Sequence, residues 1–546
     1  MRKCFTVFFL CIAITCSAQI NLVNPILSGF YPDPSVKKVG DDYYLVNSTF
    51  SYFPGIPVFH SKDLKNWKQI CNVIDRPSQM NFLGDGVSRG LFAPSINFHN
   101  GTYYVTCTLI DRKGNFVVTA KSPSGPWSNP VWLPEVKGID PSLFFDTDKA
   151  YIVYNSDAPD NKPLYSGHRT IRVYEFDPIT LKVLGEEKQL VNGGVDISKK
   201  PVWIEGPHIF KRGDWYYLCA AEGGTSVNHS QVILRSKQAT GPYLAYEKNP
   251  ILTQRDLDPK RKNPVTSAGH AELVEGPDGN TYAVFLAVRP YEDDFYNIGR
   301  ETFIAPVRWD NEWPIINPDF KEIQPVYKAS FKEVKELNTI PQSGNFQYRI
   351  KFEDKIDPAL LFLRTLDKSW FKLSKADGIT MNLSPETCMG TGNPAFIGKR
   401  QQHLICKAST ELNFTARVKN EKAGLLIYQS EFNFYYLCKS IEGSRQVLQI
   451  FKGNKQNNNM SLIKQVYVAK SKLYLQIEAD KSVCNFYYSI NAKDWKLLAA
   501  GLDGKYLSTK VAGGFVGSLF ALYATSSGST SDNKASFKWL DYAGKN

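Results

Sequence analysis

A chain of 546 residues is too long for one hydrophobic core, and 43% hydrophobic with 22% charged residues is the balance of a water-soluble folded protein, not of a disordered or fibrous one. The formal net charge is +12, and Arg2 and Lys3 supply part of it. The remaining excess of about +10 is scattered without a basic run, which excludes a nucleic-acid footprint and leaves a solvated surface.

The first residues, "MRKCFTVFFLCIAITCSAQ", run from a basic start through an apolar stretch to small residues. That is the pattern of a secretory signal over 1–18, cut after Ala18, and it predicts a secreted or periplasmic protein. The apolar run is short for a bilayer span, so no membrane insertion is expected. Cys16 as a lipid-bearing cysteine is the lesser reading, because "AIT" before it is a poor lipidation signal. The seven later cysteines (Cys71, Cys107, Cys219, Cys388, Cys406, Cys438 and Cys484) are odd in number, without metal-site spacing, and mostly inside apolar runs. They read as buried thiols with at most one disulfide.

From residue 22 one pattern recurs five times: "DPSVKKVGDDYYLV" at Asp33, "APSINFHNGTYYVT" at Ala93, "DPSLFFDTDKAYIV" at Asp140, "EGPHIFKRGDWYYLC" at Glu205 and "GHAELVEGPDGNTYAV" at Gly269. Each is a small or acidic start, a strand, a Gly/Asn/Asp turn and an aromatic strand, followed by further strand-like pieces. Five repeats of about four strands predict a five-bladed β-propeller over 22–327. Polar residues 328–345 read as a linker, and non-repeating alternating strands over 346–546 predict a β-sandwich. The fold class is therefore all-β.

An Asp beside Pro is an ordinary turn residue, and Asp33 alone would mean little. In a propeller, however, the first strand of every blade lines the central channel, so the repeat starts converge. They bring Asp33, Asp140, Glu205 and His270 to one end of the axis, with Ala93 in the remaining blade; Glu205 stands one residue early, since Pro207 aligns with Pro34. Like charges in one pit raise at least one carboxyl pKa, which makes a proton donor beside a base.

The phrases "NPILSGFYPDPSV", "STFSYFPGIPVFHSKDLKNW", "GIDPSLFFD", "WIEGPHIFKRGDWYYLCAAEGGT", "GHAELVE" and "IGRETF" together resemble glycoside hydrolase family 43, in its β-xylosidase and α-L-arabinofuranosidase branch with a concanavalin-like C-terminal domain. The resemblance implies an exo-acting inverting glycosidase that releases pentose from plant cell-wall oligosaccharides. It favours a β-xylosidase over an α-L-arabinofuranosidase; a catalytically dead sugar-binding propeller is the rival outside enzymes. A retaining fructosidase is disfavoured because "YPDPSV" lacks its N-D-P-N-G phrase.

The same resemblance implies Asp33 as general base, Glu205 as general acid and Asp140 as the carboxylate that orients the acid. It further implies Arg300 as a sugar-gripping residue, Phe50 and Phe92 as pocket aromatics, and His270 behind the site. It requires no cofactor or catalytic metal, and leaves room for a structural calcium near His270. Two departures stand out. The family phrase G-F-x-G-x-F reads "GFVGSL", which puts Leu519 where an aromatic tip should close the pocket, and the last strand offers Lys538 where some members hold calcium with an acid.

Overall fold

The computed structural model describes residues 19–334, 340–366 and 368–545. The expected leader, Cys16 included, lies outside these residues, as does the 335–339 part of the expected linker.

Five antiparallel sheets follow one another along the chain, each opening on the strand predicted to line the axis. These inner strands are Ser35–Val39, Leu91–His99, Ile139–Phe145, Glu205–Arg212 and Thr266–Glu275. Each packs against the inner strands of the neighbouring blades, and the first meets the fifth, so the ring closes. Polar bridges tie that closing seam: Ser35 Oγ and the Val36 N–H both donate to Glu272 Oε2, at 2.7 and 2.8 Å.

Turn chemistry explains the hairpins. Between the first two strands of the second blade, Asn100 and Gly101 have φ of 46° and 70°, the pair of left-handed residues that a two-residue turn needs to match strand twist. Tyr103, Val105 and Cys107 then alternate inward into the core.

Blade five is complete within itself, so no strand is exchanged to close the ring. Instead Ile20–Val23 pairs antiparallel with Val326–Ala329 and straps the start of the propeller to its end. The latter strand covers the first residues assigned to a linker from sequence; its alternating burial shows it is structural.

The C-terminal part packs two sheets face to face. One is centred on Lys534–Lys545 and Ile405–Asn413, the other on Leu519–Thr525 and Lys422–Tyr428. Their inner faces form a continuous apolar core with residues of the first two blades. In the last strand, Lys538 Nζ donates to the carbonyls of Lys375 and Ala376.

The two domains share backbone and buried charge. Phe362–Leu363 forms a short strand with Tyr52–Phe53 of the first blade. Arg364, fully buried, donates to the Asp85 carbonyl and pairs with Glu431 at 2.6 Å, while Arg400 donates to the Phe30 carbonyl and lies over the Tyr31 ring. A buried guanidinium left without such partners would cost several kcal/mol (~3–5), so the docked arrangement is strongly specified.

Candidate active site

A left-handed turn at the channel end of each inner strand builds the site, with a β-bulge beside it in blades two to five. Asp33, Ala93, Asp140, Gly206 and His270 occupy the same place in successive blades, and all have left-handed backbone, with φ of 52°, 40°, 57°, 56° and 53°. Ladder register breaks just after this point in blades two to five. A bulge re-aims a side chain at the rim of a sheet, and Asp tolerates the left-handed region better than most residues. The repeated turn therefore points Asp33, Ala93, Asp140 and His270 at one axis, while Gly206 in blade four carries no side chain to point.

Blade four breaks the pattern for a visible reason. A Cβ at Gly206 would come within 2.8 Å of the His270 ring, so the left-handed slot there takes only glycine. The acid is displaced to Glu205. Asn155 Nδ2 donates to the Ile204 carbonyl, and the Gly206 N–H donates to Asp140 Oδ2 at 3.0 Å, which fixes the backbone on both sides of Glu205.

The three carboxyls are all buried, at 6%, 6% and 7% exposure for Asp33, Asp140 and Glu205, yet their electrostatics diverge. Burial pushes Asp33 upward, but Arg300 Nη1 at 2.9 Å and the Ser48 hydroxyl at 2.6 Å outweigh it, and its pKa falls below the ordinary value. Ser48 is itself set by accepting the Ala93 N–H. His270 is pushed down to about 3, chiefly by burial, so it is neutral at pH 7 and Arg300 is the cation that Asp33 sees. Burial, reinforced by the Asp33 charge, lifts Asp140 to about 7. Burial and then the charges of Asp140 and Asp33 hold Glu205 well above the usual carboxyl range. The cleft thus sets a carboxyl biased towards its ionised form, Asp33, beside one biased towards its protonated form, Glu205.

A cavity of about 250 Å³ surrounds them, walled by Arg300, His270, Phe92, Trp203, Thr225 and Phe515 among others. Arg300 lies 5.5 Å from the Phe515 ring centroid, and its Nε has no hydrogen-bond partner among the described residues. Phe50 stands behind this wall: fully buried, it meets Phe92 edge-on at 5.3 Å and stacks with Phe515 at 6.1 Å. Trp203 is held by Arg169, whose guanidinium lies 4.7 Å from its ring.

The expectation for Leu519 is corrected. Its side chain is fully buried in the sandwich, where it opens the strand Leu519–Thr525 opposite Arg400 and Tyr428. By Ser518 the chain is already back in hydrogen-bonded structure, with its N–H on the Asn297 carbonyl and its own carbonyl accepting from Gln401. The side chain that reaches the cleft is Phe515, carried on a loop whose N–H at 515 donates to Ser88 Oγ. Phe515 and Ser48 were both inside phrases singled out from sequence; their roles needed the docking of two domains and two blades, which spacing does not encode.

Around His270 the neighbours do not form a ligand set. No group of three or more His, Cys, Asp or Glu side chains suited to a metal occurs among the described residues. His229 makes its Nδ1 contact to the Ser267 carbonyl while its Nε2 is buried without a hydrogen-bond partner among the described residues, and the His208 ring stands 3.6 Å from Glu272.

Residues 22–314 match the family model described as glycosyl hydrolases family 43, and 349–543 match the β-xylosidase C-terminal concanavalin A-like domain. A xylosidase/arabinosidase of Butyrivibrio fibrisolvens is 38% identical over 95% of this chain and 98% of its own length. A non-reducing-end α-L-arabinofuranosidase of Bacteroides ovatus is 35% identical over 96% of this chain and 95% of its own. Among solved structures, a GH43_12 protein retrieved from a capybara gut metagenome superposes with a TM-score of 0.85 at 40% identity, covering 92% of this chain and 95% of that one.

Proposed function

The chain belongs to glycosyl hydrolase family 43, and on that premise we propose that it removes single pentose units from the non-reducing ends of plant cell-wall oligosaccharides, with inversion, outside the cytoplasm. Xylose joined by a β-linkage is the favoured unit. L-arabinofuranose is the second reading, favoured by the names of the two relatives above.

The observation that carries the reaction is the opposite bias of two buried carboxyls across one cleft. Asp33, kept ionised by Arg300 and Ser48, takes a proton from a water poised at the anomeric carbon. Glu205, kept protonated, donates its proton to the glycosidic oxygen as that bond breaks. Water's oxygen ends on the anomeric carbon from the opposite face, and the freed sugar carries the inverted configuration. An inverting pair stands ~6.5–9.5 Å apart to admit that water. Asp140 holds the Glu205 turn by its hydrogen bond and keeps the acid protonated by its charge.

The test is to compare nitrophenyl β-xyloside, α-L-arabinofuranoside and β-galactoside, and to read the first-formed anomer by NMR. Cleavage of a pentoside with inverted product is expected. Turnover of none above an Asp33→Asn control would leave a sugar-binding propeller instead.

A further inference from the structure

Beside the catalytic cleft lies a second cavity of about 210 Å³, which shares Thr225, Arg300 and Phe515 with it. Its remaining walls come from both domains: Ser226, Asp294 and Tyr296 from the propeller, Thr509 and Lys510 from the sandwich. The two cavities are close in size, so the second has room for about one ring where the first takes one.

The propeller wall is a tight hairpin tip. Phe295 N–H donates to the Glu292 carbonyl at 2.6 Å, and Asp293 and Asp294 have φ of 40° and 63°, a left-handed pair built without glycine. Backbone strain of this kind persists where surroundings over-determine it. The sandwich does so here: Lys505 Nζ pairs with Glu292 at 2.7 Å, Lys510 Nζ donates to the Asp293 carbonyl, and both ammoniums lie over the Phe295 ring, at 5.0 and 4.6 Å.

This clamp holds Asp294 in the cavity wall with its Oδ1 buried and without a hydrogen-bond partner among the described residues, as is the Nε of Arg300. A buried acceptor and a buried donor left unmade each carry a desolvation cost that a ligand hydroxyl would remove. Acceptor, donor and hydroxyl groups beside the flank of an aromatic ring are the chemistry of sugar recognition.

We infer that this side cavity is a second sugar subsite, which takes a pentosyl branch carried by the leaving group while the terminal pentose occupies the catalytic cleft. The inference rests on the exo-pentosidase reading above. Its direction comes from Thr225, which lines both cavities next to Gly224 and follows Glu222, the end of the strand paired with that of Glu205; the leaving oxygen faces Glu205.

Asp294→Gly tests it, because glycine suits a φ of 63° and removes the carboxylate side chain without straining the backbone. The kcat/KM of wild type and variant is measured on a nitrophenyl pentoside, an unbranched pentose oligosaccharide and the same oligosaccharide with a pentosyl branch on the leaving unit. The expected loss is about tenfold, through KM, on the branched substrate alone, with the other two within about twofold. Asp294→Asn, which keeps an acceptor oxygen, should recover most of it. Equal losses on all three substrates would make Asp294 a mere support of the loop, and no loss on the branched one would leave the cavity without a sugar; either result overturns the inference. Wild type inactive on all three would instead sink the pentosidase reading, and the inference with it.

Discussion

Asp33 and Glu205 share burial and differ in what faces them, and that difference makes three substitutions informative. Asp33→Asn keeps the side-chain shape and one oxygen that accepts from Arg300, turns its amide nitrogen into a donor towards Ser48 Oγ, and cannot take a proton, so turnover should fall by ~10²–10⁴-fold while the fold is kept. A variant retaining a tenth of wild-type kcat would remove Asp33 from the base role. The free-enzyme pH profile should be a bell whose acidic limb lies below the ordinary carboxylate range, since Asp33 must be ionised, and whose alkaline limb is set by loss of the Glu205 proton. Asp140→Asn removes a negative charge that favours protonated Glu205, so the alkaline limb should move to lower pH. An unmoved limb would show that Asp140 acts by its hydrogen bond to Gly206 alone. Glu205→Gln should be spared most on aryl glycosides with acidic phenols, which leave without protonation; equal losses across leaving groups would argue against the acid role.

At the scale of elements, the loop from Gly513 to Ser518 decides whether the cleft is closed. Gly517 lies where an added Cβ would meet the Ile298 carbonyl oxygen at 2.4 Å, and the facing Gly299 would meet Gly517 at 2.9 Å. Backbone touches backbone across the domain seam, which leaves no room for a side chain. Gly517→Ala should therefore lift the loop, with KM rising and the melting temperature falling together. Phe515→Ala removes a ring that stacks on Phe50 and flanks Arg300, and should raise KM for pentosides by about tenfold with a smaller effect on kcat. Much of this element was legible: the glycines and Phe515 stood out in "GFVGSL". What misled was assigning the tip to Leu519, because strand entry at Leu519 depends on pairing with Arg400 and Tyr428, more than ninety residues away in sequence.

For the whole molecule, propeller and sandwich share one apolar core, a two-domain strand pair and buried arginines, so neither half presents a solvent-ready face at the seam. A chain ended near Ser343 should aggregate or lose activity, and a soluble, fully active 22–340 fragment would show the sandwich to be an appendage. The seam also carries a burden. Lys399 is fully buried, its Nζ has no hydrogen-bond partner among the described residues, and burial lowers its pKa to about 7. Unfolded, the lysine regains its ordinary value near ~10.4, so between pH 7 and 10 the unfolded chain binds more protons and stability rises with pH. Lys399→Met should flatten that slope and raise the melting temperature at pH 7. A gain of ~1 kcal/mol corresponds to only a few degrees in a chain of this size.

Sequence by itself determined the repeat number, the all-β class and the three carboxyls, because hydrophobic alternation and turn chemistry are local and a fivefold repeat forces equivalent residues together. Tertiary structure decided the rest. The left-handed turn that points Asp33 and Asp140 inward, the His270 ring that reserves the equivalent slot for Gly206 and displaces the carboxyl to Glu205, and the domain seam that brings Phe515 rather than Leu519 to the cleft all arise from contacts between distant segments. Those contacts are set by side-chain volume and hydrogen-bond satisfaction in three dimensions, which leave no period along the chain.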